Sequence, residues 1–334
     1  MKRVFIDKNK TPYKANLHAH STFSDGKLSV EQIKEEYKKR GYSVVAFTDH
    51  EHLVDNSHLN DENFLAITGC EMAIKEFADQ STLKNHQMRV THLNIYALSP
   101  DNILTPCYNS VADHFITDCV KDKIHFEEEY ERTYSSDGIN DMVEKIRQAG
   151  FLVCYNHPSW SLETAADYLN YDGFFAVEIF NTGCFNQFGF TDEHVFDDFH
   201  RSGKQIFCLA ADDAHTYFDA DGYVSDAFGG WVQIYAPSLC YKDVMRALQF
   251  GDFYASCGPE IKSLILEDGV VTAEFSDAVC ANIITSGRRA QGCFADLGKT
   301  INSACFPVSE SDGYFRITVT DSCGRKAYSQ VYQI

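Results

Sequence analysis

The chain has 334 residues, 44% of them hydrophobic, enough to bury a core in one large domain with a small one beside it. Acidic residues outnumber basic ones 48 to 29, a formal charge of −19. That balance argues against an extended nucleic-acid groove, although not against a small anion drawn to bound cations. No apolar run approaches a membrane span, and the opening MKRVFIDKNK lacks an apolar signal-peptide core, so a cytoplasmic protein is expected.

Short apolar runs alternate with amphipathic stretches through about residue 250. Strands are expected at Lys14–His18, Ser43–Thr48, Phe64–Ile67, Val90–Leu98, Phe151–Asn156, Phe174–Ile179 and Gln205–Ala210. The first helix follows Ser29, which forms a capping box with Gln32; Val30, Ile33 and Tyr37 carry its apolar stripe, and Gly41 stops it. Further helices are expected at Ile139–Ala149, Leu162–Leu169, His194–Ser202 and Tyr241–Phe250. This order predicts a largely parallel sheet or barrel covered by helices. The stretch from Ser99 to Ser136 mixes Pro, Asn and a charged run and reads as a helical insertion. After SCGPE the pattern becomes β-like around turns at Asp268-Gly269 and Ser322–Gly324. Residues 1–258 therefore read as one domain and 259–334 as a small all-β domain. The twelve cysteines include no Cys-x-x-Cys pair and read mainly as buried free thiols.

His18 and His20, in NLHAHSTFSDG, lie two apart, so in a strand their imidazoles share a face. Asp25 follows in a Ser-Asp-Gly turn. The same triplet at 136–138 and 311–313 has no His-x-His beside it, reading there as a helix start and a hairpin turn. Metal-type ligands recur at the C-terminal ends of the predicted strands, at six or more of the seven: Asp49 and His50 after VVAFT, Glu71 after FLAITGC, His92 in VTHLNIYAL, and His157 after FLVCYN. Glu178 and Asn181 follow in VEIFN, then Asp212, Asp213 and His215 in DDAH. Each alone has an ordinary explanation as a cap, a turn or a core histidine. Their recurrence where α/β active sites gather points to a metal centre. His52, His58, His86, His114, His125, His194 and His200 read as surface or structural.

These motifs, in this order, resemble the polymerase and histidinol phosphatase (PHP) metallohydrolases over about residues 13–258. The C-terminal part looks like the branch that includes carbaryl-hydrolase-like proteins. The resemblance implies a distorted (β/α)7 barrel holding two or three divalent ions. His18, His20, Glu71 and Asp213 would hold the first; Glu71 would bridge to a second held by His92 and His157; Asp25, His50 and His215 would hold a third. Asp213 is preferred to Asp212 because it keeps the Asp-x-His spacing. Glu71, Asp213 and His215 are the expected catalytic residues.

Imidazole and carboxylate donors without cysteine suit Mn, Zn or Fe. The expected reaction is attack of a metal-activated hydroxide on a phosphoester of a small metabolite, nucleotide or short oligonucleotide. A carboxyl ester or carbamate hydrolase is the nearest alternative, and a non-catalytic metal-binding accessory module a second. Lys27, Arg89 and Arg201 are the candidate phosphate grips, although each also reads as a surface residue.

Overall fold

The computed structural model describes residues 2–76, 87–218, 225–289 and 291–334. His86 lies outside them.

A fourteen-stranded sheet dominates. From one edge it runs Phe207–Ala211, Ala176–Asn181, Phe151–Tyr155, Val90–Ala97, Leu65–Lys75, Val44–Phe47, Tyr13–Asn16, Trp231–Ile234 and Phe253–Ser256. It continues through Lys326–Tyr328, Tyr314–Thr320, Cys280–Thr285 and Gln291–Phe294, with Tyr332–Gln333 also paired to Tyr314–Thr320. Helices Val30–Lys38, Ser136–Gln148, Glu193–Arg201 and Tyr241–Phe250 pack on it. The first begins as its sequence requires: Ser29 Oγ accepts from Gln32 N–H, and Gln32 Oε1 accepts from Ser29 N–H. Its Ile33 and Tyr37 are fully buried, each such side chain contributing roughly 1.5–3 kcal/mol.

The sheet differs from expectation in direction and closure. Val90–Ala97 runs antiparallel to both of its neighbours, Leu65–Lys75 and Phe151–Tyr155. The chain turns back after Lys75 and pairs Val90 with it. The start of this strand, where His92 lies, therefore reaches the rim that other strands reach with their ends. Nor does the sheet close into a barrel: among the described residues, no ladder joins Phe207–Ala211 to Tyr13–Asn16. The segments beyond those two strands meet instead, through Asp213 N–H to His18 O at 3.0 Å and His20 N–H to Ala214 O at 2.9 Å. This seam fixes the two histidines against Asp213.

The expected helical insertion is absent. Residues 99–135 contain a 3-10 segment, Ser110–Phe115, and two short parallel strands, Leu104–Thr105 and His125–Phe126, but no α-helix. Pro100 and Pro106 break the periodicity a helix needs. Two short helices, Ala165–Tyr168 and Thr182–Phe188, follow the strands that lead to His157 and Asn181.

In the C-terminal region Ile261–Glu267 and Val270–Ala278 form a hairpin whose turn residues, Asp268 and Gly269, both have positive φ. The first strand of the chain, Lys2–Ile6, joins this hairpin and Ile301–Pro307 in a four-stranded sheet. That sheet shares a second core, around Leu264, Phe275, Ile283, Phe306 and Ile317, with the far end of the large sheet. The 311–313 triplet links strands of two different sheets rather than a hairpin. The twelve cysteines are free. Among the described residues, no helix is long and apolar enough to cross a membrane.

Candidate metal centre

Nine side chains from distant positions converge at one rim of the sheet, in three overlapping groups. His18, His20, Glu71 and Asp213 form one, and Glu71, His92 and His157 a second; the third contains His20, Asp25, His50 and His215. In each group the candidate ligand atoms lie within 4.8 Å of one another. His20 thus faces two groups, where the sequence assigned it to one.

Glu71 sits in the middle, almost fully buried. Its Oε1 lies 3.1 Å from His92 Nδ1, 3.2 Å from His157 Nε2 and 3.3 Å from His18 Nε2. Its Oε2 lies 3.3 Å from His50 Nδ1 and 3.5 Å from His20 Nε2. The two oxygens therefore address different sets of imidazoles. Asp213 Oδ1 lies 3.1 Å from His20 Nε2 and 3.2 Å from His18 Nε2. Asp25, on the exposed side, reaches His215 Nε2 at 3.5 Å and His50 Nε2 at 3.6 Å.

A surrounding layer holds these groups in place. Glu178 Oε1 lies 2.7 Å from His18 Nδ1 and accepts its N–H. Asn181 donates to Glu178 Oε2 and to Asp213 Oδ2, at 3.1 and 3.2 Å. Asn156 donates to Glu71 Oε1 at 2.8 Å. The neighbouring aspartates serve the backbone instead. Asp49 accepts from the backbone N–H and hydroxyl groups of Ser21 and Ser24, which ties down the loop that carries Asp25. Asp212 turns away from the histidines and accepts from Tyr37, Thr182 and three successive backbone N–H groups at Phe228, Gly229 and Gly230. His157 and Asp213 have positive φ, +27° and +57°, a conformation that non-glycine residues hold only where the surroundings enforce it.

Electrostatics follow from this packing. Burial opposes charge on Glu71, but the imidazoles of His92 and His18 hold its carboxyl well below the usual range. Burial likewise opposes ionisation of Asp213, yet His18 and the His20 hydrogen bond hold its pKa well down. Burial would neutralise His18, but Asp213, Glu178 and Glu71 raise its pKa well above that of ordinary imidazole. His50 moves the other way, lowered by burial and by His20. Glu71 and Asp213 thus stay anionic in the middle of an imidazole shell.

The donor set fits divalent ions. His18 Nε2 and His20 Nδ1 are buried without a hydrogen-bond partner, although a buried polar atom is normally satisfied. A metal would satisfy such atoms, and His18 already has its other nitrogen fixed by a carboxylate, as metal-binding imidazoles usually do.

The remaining histidines divide as surface or structural. His58, His114, His125 and His194 are exposed and His200 is half-buried. His52 is fully buried and lies outside the three groups. The candidate grips stay away from the centre: Arg89 pairs with Glu76 and Asp167, Arg201 with Asp197 and Asp198, and Lys27 is exposed. Sequence reading missed Lys75, whose signal was its i+4 spacing from Glu71 on one strand face. Lys75 lines a cleft of about 710 Å³ that opens onto Glu71, His92, His157 and Asp213. The sequence had also left Glu178 and Asn181 without a role.

An α/β sheet that gathers imidazoles and carboxylates on one rim defines a protein of metal-binding type. The PHP domain model matches residues 16–223, well over half the chain, and the protein belongs to the PHP domain family. No curated relative matches the chain. One similar solved structure is a two-domain protein containing a predicted PHP-like metal-dependent phosphoesterase from Bacteroides vulgatus. It is 13% identical, and the match covers 98% of this chain and 96% of that one at a TM-score of 0.44. Another is an amidohydrolase from Chromobacterium violaceum with bound sulfate and no metal, 15% identical, covering 71% and 96% at a TM-score of 0.38.

Proposed function

We propose that the protein is a metal-dependent phosphoesterase acting on a small phosphorylated substrate. The observation that carries this reading is Glu71, whose two oxygens face separate imidazole sets. Two or three divalent ions, Mn, Zn or Fe, would be held by His18, His20, Glu71 and Asp213, by Glu71, His92 and His157, and by Asp25, His50 and His215. Bound there, such ions polarise phosphoryl oxygens and lower the pKa of water.

The chain's own residues supply the rest. Glu71 and Asp213 provide negative charge at the centre, oriented by Asn156 and Asn181. His215 Nδ1 lies 3.0 Å from the Asp213 carbonyl oxygen and donates to it, which leaves Nε2 facing Asp25. Lys75 offers a cation at the cleft wall for a substrate oxygen. In the hydrolysis, water oxygen adds to phosphorus and the bond from phosphorus to the alcohol oxygen breaks. One water proton ends on the alcohol and the other stays with phosphate. With Nδ1 committed to the Asp213 carbonyl and Nε2 to the outer ion, His215 serves as a ligand and does not carry that proton. All the chemistry is assigned to residues 1–258, with 259–334 as a supporting β domain.

The test is a panel of phosphate monoesters set against aryl esters and carbamates, assayed with protein depleted of metal and then reloaded with Mn²⁺. Phosphate release that depends on metal and is lost in His18→Ala is expected, with at least two metals per chain by elemental analysis. Turnover of esters or carbamates alone overturns the phosphoester assignment. Less than one metal per chain after reloading overturns the metal centre.

A further inference from the structure

The centre opens into a cleft whose walls are apolar. Met88, Phe115, Trp160, Leu162, Phe188 and Phe190 line it beside the imidazoles. Three of these are substantially exposed for such large side chains: Trp160 at 37%, Leu162 at 48% and Phe188 at 55%. They are not a scattered surface population. The Trp160 ring lies 4.9 Å from the His157 ring and 5.2 Å from the His92 ring. Phe115 lies 4.3 Å from His50, on the other side of Glu71. Phe188 and Phe190 stack at 5.4 Å with 16° between their planes. Leu162 is held at φ +61°, a costly conformation for a branched side chain, in the loop that carries Trp160.

Charge narrows what this cleft accepts. Apart from histidine, Lys75 is the one cationic residue among the described residues that line it. The same cleft presents Asp25, Glu71 and Asp213. A di- or triphosphate, or the second phosphate of an oligonucleotide, would meet apolar surface where it needs cations. A flat apolar group would instead cover rings that now face water, and each aromatic pair adds to the area buried.

Resting on the phosphoesterase reading, the geometry points to a phosphate monoester of an apolar, aromatic-sized alcohol as the substrate class. The phosphoryl group sits among Glu71, Asp213 and the imidazoles, and the alcohol portion lies between Trp160 and the Phe188–Phe190 pair. Nucleotides and sugar phosphates are discriminated against because their polar groups find no partners on those walls.

The experiment uses the full chain, reloaded with Mn²⁺, and two alkyl phosphates of similar leaving-group acidity: 2-(2-naphthyl)ethyl phosphate and ethyl phosphate. AMP is the polar comparison. A kcat/KM ratio for naphthylethyl over ethyl phosphate of about 100, falling about tenfold in Trp160→Ala, is expected. Binding is read separately with 2-(4-nitrophenyl)ethylphosphonate, which cannot be hydrolysed. It should quench tryptophan fluorescence, and the quench should be lost in Trp160→Phe, because the chain has two tryptophans and only Trp160 lines the cleft. Equal kcat/KM for the two alkyl phosphates, or AMP as the best of the three, overturns the apolar subsite and leaves the phosphoesterase standing. Quenching that depends on Trp160, with no phosphate released from any ester, overturns the phosphoesterase and leaves the subsite standing.

Discussion

His18 and Glu178 form a buried pair, with Nδ1 and Oε1 2.7 Å apart, at the back of the metal centre. The bond fixes which nitrogen of His18 is free. Nε2 then points at Glu71 and Asp213, 3.3 and 3.2 Å away. Losing such a partner typically costs about 10- to 100-fold in metal affinity. Glu178→Gln should show a loss in that range by competition with a coloured chelator. An unchanged affinity would mean that packing alone orients the ring.

Glu71 and Asp25 should differ sharply in what their loss does. Glu71 is buried and contacts five imidazoles through both oxygens. The Asp25 side chain is 45% exposed and serves the outer group only. Glu71→Ala should lower the metal content per folded chain by more than one equivalent and abolish turnover. Asp25→Ala should remove at most one equivalent and keep measurable activity at saturating Mn²⁺. The reverse order would contradict a shared role for Glu71.

Gly26 closes the turn after Asp25 for a steric reason. A Cβ at this position would fall 2.2 Å from the His20 carbonyl oxygen and 2.8 Å from the Ser21 nitrogen. These are backbone atoms of the segment that carries the histidines, so they cannot swing aside. Gly26→Ala should cost about 1–3 kcal/mol in urea unfolding of metal-free protein. It should also weaken the outer metal more than the inner ones, read as a separate phase in chelator competition. Equal weakening of every metal would show a general rather than a local disturbance.

The β region is tied to the region that carries the candidate metal centre by Arg316, almost fully buried. Its Nε and Nη2 donate to the two oxygens of Asp197 at 2.7 and 2.8 Å. Breaking a buried pair from one side typically costs about 3–5 kcal/mol, because the partner charge is stranded. Arg316→Met should destabilise by about that much, and adding Asp197→Leu should recover most of it. Cys208 and Gln330 exchange two more hydrogen bonds, at 2.8 and 3.0 Å, and Phe253–Ser256 pairs with Lys326–Tyr328. A chain cut at Gly258 should therefore be destabilised and aggregate rather than persist as a folded domain, as gel filtration would show. A monodisperse, folded fragment would contradict this.

Local chemistry made much of the protein legible in one dimension. Helix caps such as Ser29 and Gln32 act within a few residues, and the Asp268-Gly269 turn needs only its own φ angles, so both could be read directly. The chemical identity of His18, His20, Glu71, His92, His157 and Asp213 was legible too, because few side chains offer metal-type donors and these recur along the predicted strands. Tertiary structure decided what depends on direction and on distant neighbours. Reversal of Val90–Ala97 placed His92 on the rim, and period-two patterning carries no sign for strand direction. The seam between His18 and Asp213 joins segments nearly two hundred positions apart; the Asp-x-His spacing had singled out Asp213, but only packing showed Asp212 turned to Tyr37, Thr182 and the backbone N–H groups of Phe228, Gly229 and Gly230. The same holds for Trp160 and Phe188: an aromatic side chain reads alike as core or as cleft wall until the fold leaves one of its faces open.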